Sequence, residues 1–163
     1  MRGRSMRIKL TVLVGFAAAV AVVAVQAAAG AGATVVRGDQ LLAGASNCPG
    51  GTDGSKYRMA GDLVGCWYTD TFVVRNETPS GVVIASGTEH FVGCLNTNVC
   101  GTFRTAYTFT GKYAGVDEIH GRCHHPIIED STRTGGFAGA SGVISFTDIP
   151  SEGRFPYHGP IRL

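Results

Sequence analysis

Thr102-Phe103-Arg104-Thr105-Ala106-Tyr107-Thr108-Phe109-Thr110 is the stretch that decides the fold class. Every second residue, from Phe103 through Thr105 and Tyr107 to Phe109, falls on one face of an extended chain. The alternate positions are polar or small. Successive side chains of a β-strand point to opposite faces, so this alternation predicts a strand with one buried face.

Similar runs of β-branched and aromatic residues recur from about residue 57, separated by Gly, Pro, Asn and Asp. Helical periodicity does not persist past two turns, so the chain is read as strands and turns. Antiparallel strands must pack as two sheets or close into a barrel, because open sheet edges invite aggregation. We therefore predict an all-β domain of six to eight strands. The predicted strands are 62–75, 82–94, 102–110, 118–128, 143–149 and 157–163.

The N-terminal residues 1–33 have the three parts of a secretory signal peptide. A basic segment, 1–9, precedes an uncharged apolar run, 10–25, and small residues that suit cleavage fill 27–33. The apolar run is shorter than the ~20 residues that span a bilayer, which favours cleavage over a retained membrane anchor. We expect a Gly/Ser-rich lead-in without regular structure at 34–56 and the barrel domain at 57–163.

The formal net charge of +2 changes sign once the export segment is set aside. Four basic residues lie in that segment, and the remainder holds 10 Lys and Arg against 12 Asp and Glu. A net charge of about −2 gives no basic surface for nucleic acid. The sequence therefore predicts a secreted or extracytoplasmic protein without nucleic-acid partners and with no membrane association after cleavage.

Five cysteines follow the export segment, and an oxidising compartment favours their pairing. Cys94 and Cys100 flank a polar loop between two predicted strands, so we predict that they form a disulfide. Cys66 is expected to pair with Cys123 or with Cys48. The fifth thiol then stays unpaired or bridges two chains in a homodimer. No C-x-x-C pair occurs, so we predict no metal site and no cofactor.

The segment Thr134–Asp148, TGGFAGASGVISFTD, resembles the Gly-rich loop and following strand of the allene oxide cyclase and dirigent barrel group. The terminal run Tyr157–Leu163 is similar to the last strand of that group. Small exported bacterial proteins of uncharacterised role carry the same kind of segment. The resemblance implies a closed antiparallel barrel of eight strands, about 100 residues of this chain, with a narrow cavity.

The most polar predicted strand carries the candidate ligand-binding residues. Period-2 geometry places four ionisable side chains on one face and Ile119, Cys123 and His125 on the other. That polar face either lines the barrel interior, where it would bind a polar or anionic ligand, or forms the outer wall, which we favour. Glu89, with its neighbour His90, and Arg104 are supporting candidates on adjacent strands. The four residues of the polar face are Glu118, His120, Arg122 and His124.

Sequence signatures of common enzymes are missing. The chain has neither a G-x-S-x-G nucleophile elbow nor a phosphate-binding loop, so the enzyme question stays open and leans towards no. The leading hypothesis is a secreted, non-catalytic β-barrel that binds a small ligand or a cell-envelope partner. One alternative is a cyclase- or dirigent-like enzyme that shapes a reactive intermediate in the cavity. The other is a disulfide-stapled structural protein that assembles through the fifth cysteine.

Overall fold

A computed structural model describes residues 32–50, 55–130 and 132–163. The predicted export segment lies outside this part of the chain except for Gly32 and Ala33. Two short 3₁₀ turns, Ala45–Asn47 and Pro150–Glu152, accompany the strands. The nine strands in the described residues are β1 (Thr34–Leu41), β2 (Lys56–Gly61), β3 (Leu63–Glu77), β4 (Val82–Leu95), β5 (Val99–Ala114), β6 (Asp117–Pro126), β7 (Thr134–Gly135), β8 (Ser141–Asp148) and β9 (Arg154–Arg162).

The strands form one antiparallel sheet that closes on itself. The sheet runs in the order β4-β3-β2-β1-β9-β8-β6-β5, and pairing of β4 with β5 joins its two ends. The two-residue β7 lies outside the barrel against Gly101 and Thr102 of β5. The predicted all-β closed barrel is confirmed, and it has eight strands. At this size the interior is just wide enough for side chains or one small ligand.

The structure corrects the predicted lead-in at 34–56. Residues 34–41 form β1, a full barrel strand that pairs with β9 from Thr34 to Leu41 and with β2 from Gly38 to Leu41. Gly38 is required there, because a Cβ atom would lie 2.0 Å from the backbone oxygen of Ala60. A Gly-rich composition favoured a loop for 34–56, but in β1 the single glycine, Gly38, allows two strands to approach closely. The barrel therefore includes residues 34–41, which lie before the predicted start at 57.

One half of the barrel interior is filled by apolar side chains. Trp67, Phe91 and Phe103 are fully buried there and contact one another. Phe137, from the Gly-rich loop between β7 and β8, is also fully buried. Its ring centroid lies 5.0 Å from that of Phe103 and 5.8 Å from that of Phe91. The loop thus closes this end of the barrel with an aromatic side chain.

Two disulfide bonds cross-link the described residues. Cys94 and Cys100 are bonded across the β4–β5 hairpin, as predicted, at directly opposed positions. Cys48 is bonded to Cys66, one of the two partners left open for Cys66, and this ties the segment between β1 and β2 to β3. Cys123 is the free thiol of the described residues. In the described part of the chain, no helix is long and apolar enough to cross a membrane.

Phe137→Ala is expected to destabilise the barrel by about 3–5 kcal/mol, because it removes a ring that no solvent reaches and leaves a cavity beside Phe91 and Phe103. Val116→Ala is the control, since Val116 is 93% exposed and its truncation should change stability by less than about 0.5 kcal/mol. Urea denaturation measures both variants. Equal stabilities for the two would show that Phe137 does not plug the core.

Candidate ligand cavity

The other half of the barrel interior holds a cavity of about 390 Å³ that opens to solvent. Its walls combine aromatic rings with ionisable side chains, in contrast to the apolar half. A cavity of this size and mixed lining is typical of small-molecule sites. Side chains from every barrel strand contribute: Gln40, Ser55, Tyr57, Thr69, Phe72, Glu89, Tyr107, Phe109, Tyr113, Glu118, Cys123, His125, Phe146, Asp148 and Phe155.

Glu89 is the most buried carboxyl group of the cavity. It lies on β4 and is 8% exposed. The indole N–H of Trp67 donates to its Oε2 at 2.5 Å, and the hydroxyl of Thr69 donates to its Oε1 at 2.7 Å. Burial nevertheless dominates over these hydrogen bonds and raises the pKa of Glu89 to about 7. Glu89 can therefore hold or release a proton near neutral pH.

His125 on β6 faces Glu89, with its Nδ1 atom 3.3 Å from Glu89 Oε2. Burial, with a smaller contribution from His124, lowers the pKa of His125 to about 3. The imidazole is therefore neutral at physiological pH, so its contact with Glu89 is not an ion pair, and its Nδ1 atom also lies 3.4 Å from the hydroxyl oxygen of Thr105. The ring of Tyr107 stacks on the imidazole with a centroid distance of 5.2 Å, which fixes its orientation.

A second pair of carboxyl groups, Glu118 and Asp148, lies on β6 and β8. Gly121 makes room for them, because a Cβ there would lie 2.4 Å from Glu118 Oε1 and 2.7 Å from Asp148 Oδ2. Burial and the Asp148 charge raise the pKa of Glu118, and burial also raises the pKa of Asp148. Two carboxylates this close favour keeping one shared proton. Glu118 Oε1 is buried and receives no hydrogen bond from a donor in the described residues.

The remaining titratable groups of the cavity are neutral near pH 7. Burial raises the pKa of Tyr57 and of Tyr113 to about 12, and it raises the pKa of Tyr107 as well. Burial likewise raises the pKa of the Cys123 thiol. None of the lining residues is Lys or Arg. Any charge on the described cavity wall at neutral pH is therefore negative.

The predicted polar face of β6 does not stay on one side of the sheet. Tyr113 of β5 pairs with Glu118, but the preceding Lys112 pairs with His120, so Ile119 is an extra residue in a β-bulge. A bulge reverses the alternation, which turns Glu118 inward while Ile119 is 52% exposed. This corrects the predicted grouping of Glu118 with His120.

The other members of the predicted polar face, His120, Arg122 and His124, are exposed on the outer wall of β6. The supporting candidates on the adjacent strands also divide between the cavity and the outer wall. Glu89 lines the cavity, whereas Arg104 and its neighbour His90 lie outside. Both contact Asp70, at 3.6 Å for Arg104 Nε and 2.7 Å for His90 Nδ1. Of the six predicted ligand-binding residues, the structure thus brings Glu89 and Glu118 to the cavity.

Sequence reasoning missed His125 and Asp148 as cavity residues, although the signal for both was present. His125 falls on the face opposite Arg122 and His124 by simple alternation. Asp148 continues an inward series that begins with Ile144 and Phe146 on β8. A carboxyl group in line with buried apolar residues is the pattern that would have identified it.

Cys123 faces the cavity, between Arg122 and His124 on the outer wall. Its side chain is half-buried. Homodimerisation, whether through this thiol or by other contacts, stays a prediction. Within the described ranges, no three His, Cys, Asp or Glu side chains converge as they would around a metal ion.

Comparisons with protein-family models, with curated proteins and with solved structures find no match to this chain. The resemblance of Thr134–Asp148 to the allene oxide cyclase and dirigent group therefore stays a prediction.

Glu89→Gln is expected to change how stability depends on pH. Between pH 4.5, the reference pKa, and about 7, the pKa in the folded state, Glu89 keeps its proton when folded and loses it on unfolding. The wild type should therefore lose stability from this group as pH rises through that window, by on the order of 3 kcal/mol. Glu89→Gln should not show this decrease in stability, because its amide does not titrate. Urea denaturation at both ends of the window measures the difference.

Glu77→Gln is the matched control, because Glu77 is exposed near the end of β3 and its replacement removes the same charge. This control should follow the wild type across the window. The burial argument for Glu89 fails if the wild type and Glu89→Gln show the same dependence of stability on pH.

Proposed function

We propose that the protein is an extracytoplasmic binding protein that holds a small molecule in the cavity of its barrel. The observation that carries this proposal is the division of the interior. One half is packed with apolar rings, and the other keeps about 390 Å³ open between ionisable and aromatic side chains. Buried polar groups without full hydrogen bonding cost stability, so their concentration around an open space favours a binding site.

The closed sheet supplies a rigid wall for such a site. Each lining strand is hydrogen-bonded to two neighbours, and β4 pairs with β5 over the full length from Val82 to Leu95. A preformed cavity costs little ordering entropy when a ligand enters. This property suits the non-catalytic binding function expected from the sequence.

The location outside the cytoplasm rests on two features. Disulfides persist in oxidising compartments and are rare in the cytosol, and this chain forms two, Cys48–Cys66 and Cys94–Cys100. The basic, apolar and small-residue segments of 1–33 are the pattern of an export signal. Together they support an exported protein whose cavity meets compounds outside the cytoplasm.

Binding is tested by thermal unfolding of the protein against a panel of small metabolites. A ligand present at about 100 times its Kd should stabilise the fold by about 2.7 kcal/mol and raise Tm by several degrees. Cys123→Met places a longer side chain in the cavity and should reduce the Tm shift. Arg122→Ala, at the neighbouring position on the outer wall, should keep the full shift.

Two results would contradict the cavity as the binding site. One is a panel in which no compound changes Tm. The other is a compound whose Tm shift is lost in Arg122→Ala and kept in Cys123→Met, since that pattern would place the ligand on the outer surface.

A second candidate function, a cyclase-like enzyme, is favoured by one specific observation. Glu89 has a pKa of about 7 and lies 3.3 Å from the neutral His125, so a proton can be exchanged in the cavity near neutral pH. For an allene oxide, the substrate that the resemblance implies, Glu89→Gln should abolish cyclisation, and Glu77→Gln should preserve it. Unchanged product stereochemistry with and without wild-type protein would eliminate this candidate.

A further inference from the structure

The charge and hydrogen-bonding pattern of the cavity indicate which chemical class it binds. Three carboxyl groups line it, Glu89, Glu118 and Asp148, and none of the lining residues is Lys or Arg. The nearby Lys and Arg side chains do not line the cavity. Arg122 is exposed on the outer wall, Arg104 contacts Asp70, and Lys112 donates to the backbone oxygen of Ser80. The described cavity wall thus supplies negative charge and no Lys or Arg side chain to balance it, and its His125 is neutral near pH 7.

Of the three carboxyl groups, Glu89 already has its hydrogen-bond donors. Trp67 and Thr69 donate to its two oxygens, and His125 contacts one of them. Glu118 differs, because its Oε1 atom is buried and has no donor among the described residues. That atom lies beside the carboxyl group of Asp148, which offers no donor once it is ionised. The hydroxyl of Tyr113 also interacts with the carboxyl group of Glu118, but no donor of the described residues reaches its Oε1 atom. A shared proton or a donor from a ligand would therefore complete the Glu118–Asp148 pair.

Aromatic rings surround the rest of the cavity. Tyr57 and Phe155 meet edge to face, with centroids 5.6 Å apart, and Phe109 and Tyr113 meet in the same way at 6.5 Å. Phe72 is 54% exposed and contributes a further ring to the lining. Ring faces attract cations and also cover the apolar part of a ligand.

From this combination we propose that the cavity binds a protonated organic amine, whose ammonium group donates to Glu118 and Asp148 and whose apolar body lies against the aromatic rings. This inference rests on the proposed function and names its ligand class. The ammonium N–H groups supply the donor that Glu118 Oε1 lacks, and the positive charge replaces the proton that the two carboxyl groups otherwise share.

Neutral and anionic ligands fit the same geometry less well. A neutral hydroxyl group supplies one donor but leaves the paired carboxylates without a compensating charge. An anion adds a further negative charge beside Glu118, Asp148 and Glu89, where Tyr57, Tyr107, Tyr113, Cys123 and His125 are all neutral near pH 7. Like charges in a partly buried site repel strongly, so selectivity should follow ligand charge.

Isothermal titration calorimetry near pH 8 with three matched ring compounds tests the proposal, since the amine among them is then protonated and free carboxyl groups are ionised. The probes are 2-phenylethylamine, 2-phenylethanol and 3-phenylpropanoate. The protein should bind the amine at least about tenfold more tightly than the alcohol or the carboxylate, as expected for a charge-assisted hydrogen bond.

Glu118→Gln keeps the shape of the side chain and removes its charge. It should weaken binding of the amine by about tenfold or more and leave binding of the alcohol unchanged. Asp117→Asn is the matched control, because Asp117 is the exposed neighbour on β6 and loses the same charge. This control should bind all three probes as the wild type does.

Four outcomes of these titrations support or overturn the proposal. Preference for the amine that Glu118→Gln removes and Asp117→Asn keeps supports it. Equal or tighter binding of the alcohol or the carboxylate overturns the amine assignment and leaves small-molecule binding in the cavity intact. No heat with any of the three probes overturns the amine assignment, and the metabolite panel with Cys123→Met then decides separately whether the cavity binds ligands. A loss of amine binding in Asp117→Asn would place the interaction on the outer surface and also overturn it.

Discussion

Closure of the sheet by pairing β4 with β5 is the constraint on which the rest of the molecule depends. Once the two ends of the sheet are joined, alternate side chains of eight strands share one enclosed interior. Every residue that faces inward must then pack, hydrogen-bond or border the cavity, because the closed wall limits its access to solvent. The chemistry of the interior follows from which residues the strand register turns towards it.

The register turns two different sets of residues inward along the barrel axis. Towards one end, Trp67, Phe91, Phe103 and Phe137 fill the space and stabilise the fold by burying large rings. Towards the other, Glu89, Glu118, Asp148 and His125 share the space with tyrosines, and a cavity remains. The apolar half offsets the cost of burying ionisable groups in the polar half. A stable barrel can therefore carry a site that would be unfavourable by itself.

Local backbone irregularities determine the chemistry of this site. The extra residue Ile119 in β6 moves Glu118 from the outer wall to the cavity, and Gly121 leaves the room that its carboxyl group needs beside Asp148. The two carboxyl groups then titrate as a pair. The same strand presents His120, Arg122 and His124 to solvent, so one β-strand separates its acidic group from its basic ones.

Much of the architecture could be predicted from local pattern. Alternation in Thr102–Thr110 predicted a half-buried strand, and β5 contains it. Six predicted strands correspond to β3, β4, β5, β6, β8 and β9 with shifted ends. The loop between Cys94 and Cys100 predicted a disulfide because the two residues bracket a short hairpin. β1 escaped prediction, since it lies in a segment, 34–56, whose Gly, Ser and Asp content resembles a loop.

The site was harder to predict than the fold, because a residue lines the cavity only if its side chain lies on the inner face of its strand. Glu89 was named, but its contacts with Trp67, Thr69 and His125 join residues from three strands. The sequence by itself determined the all-β class, most strands, one disulfide and the supply of acidic and aromatic side chains, because these follow from neighbours along the chain. Only the tertiary structure decided which of those side chains meet, since closure and the bulge at Ile119 set the register between strands, and register assigns each side chain to the cavity or to solvent.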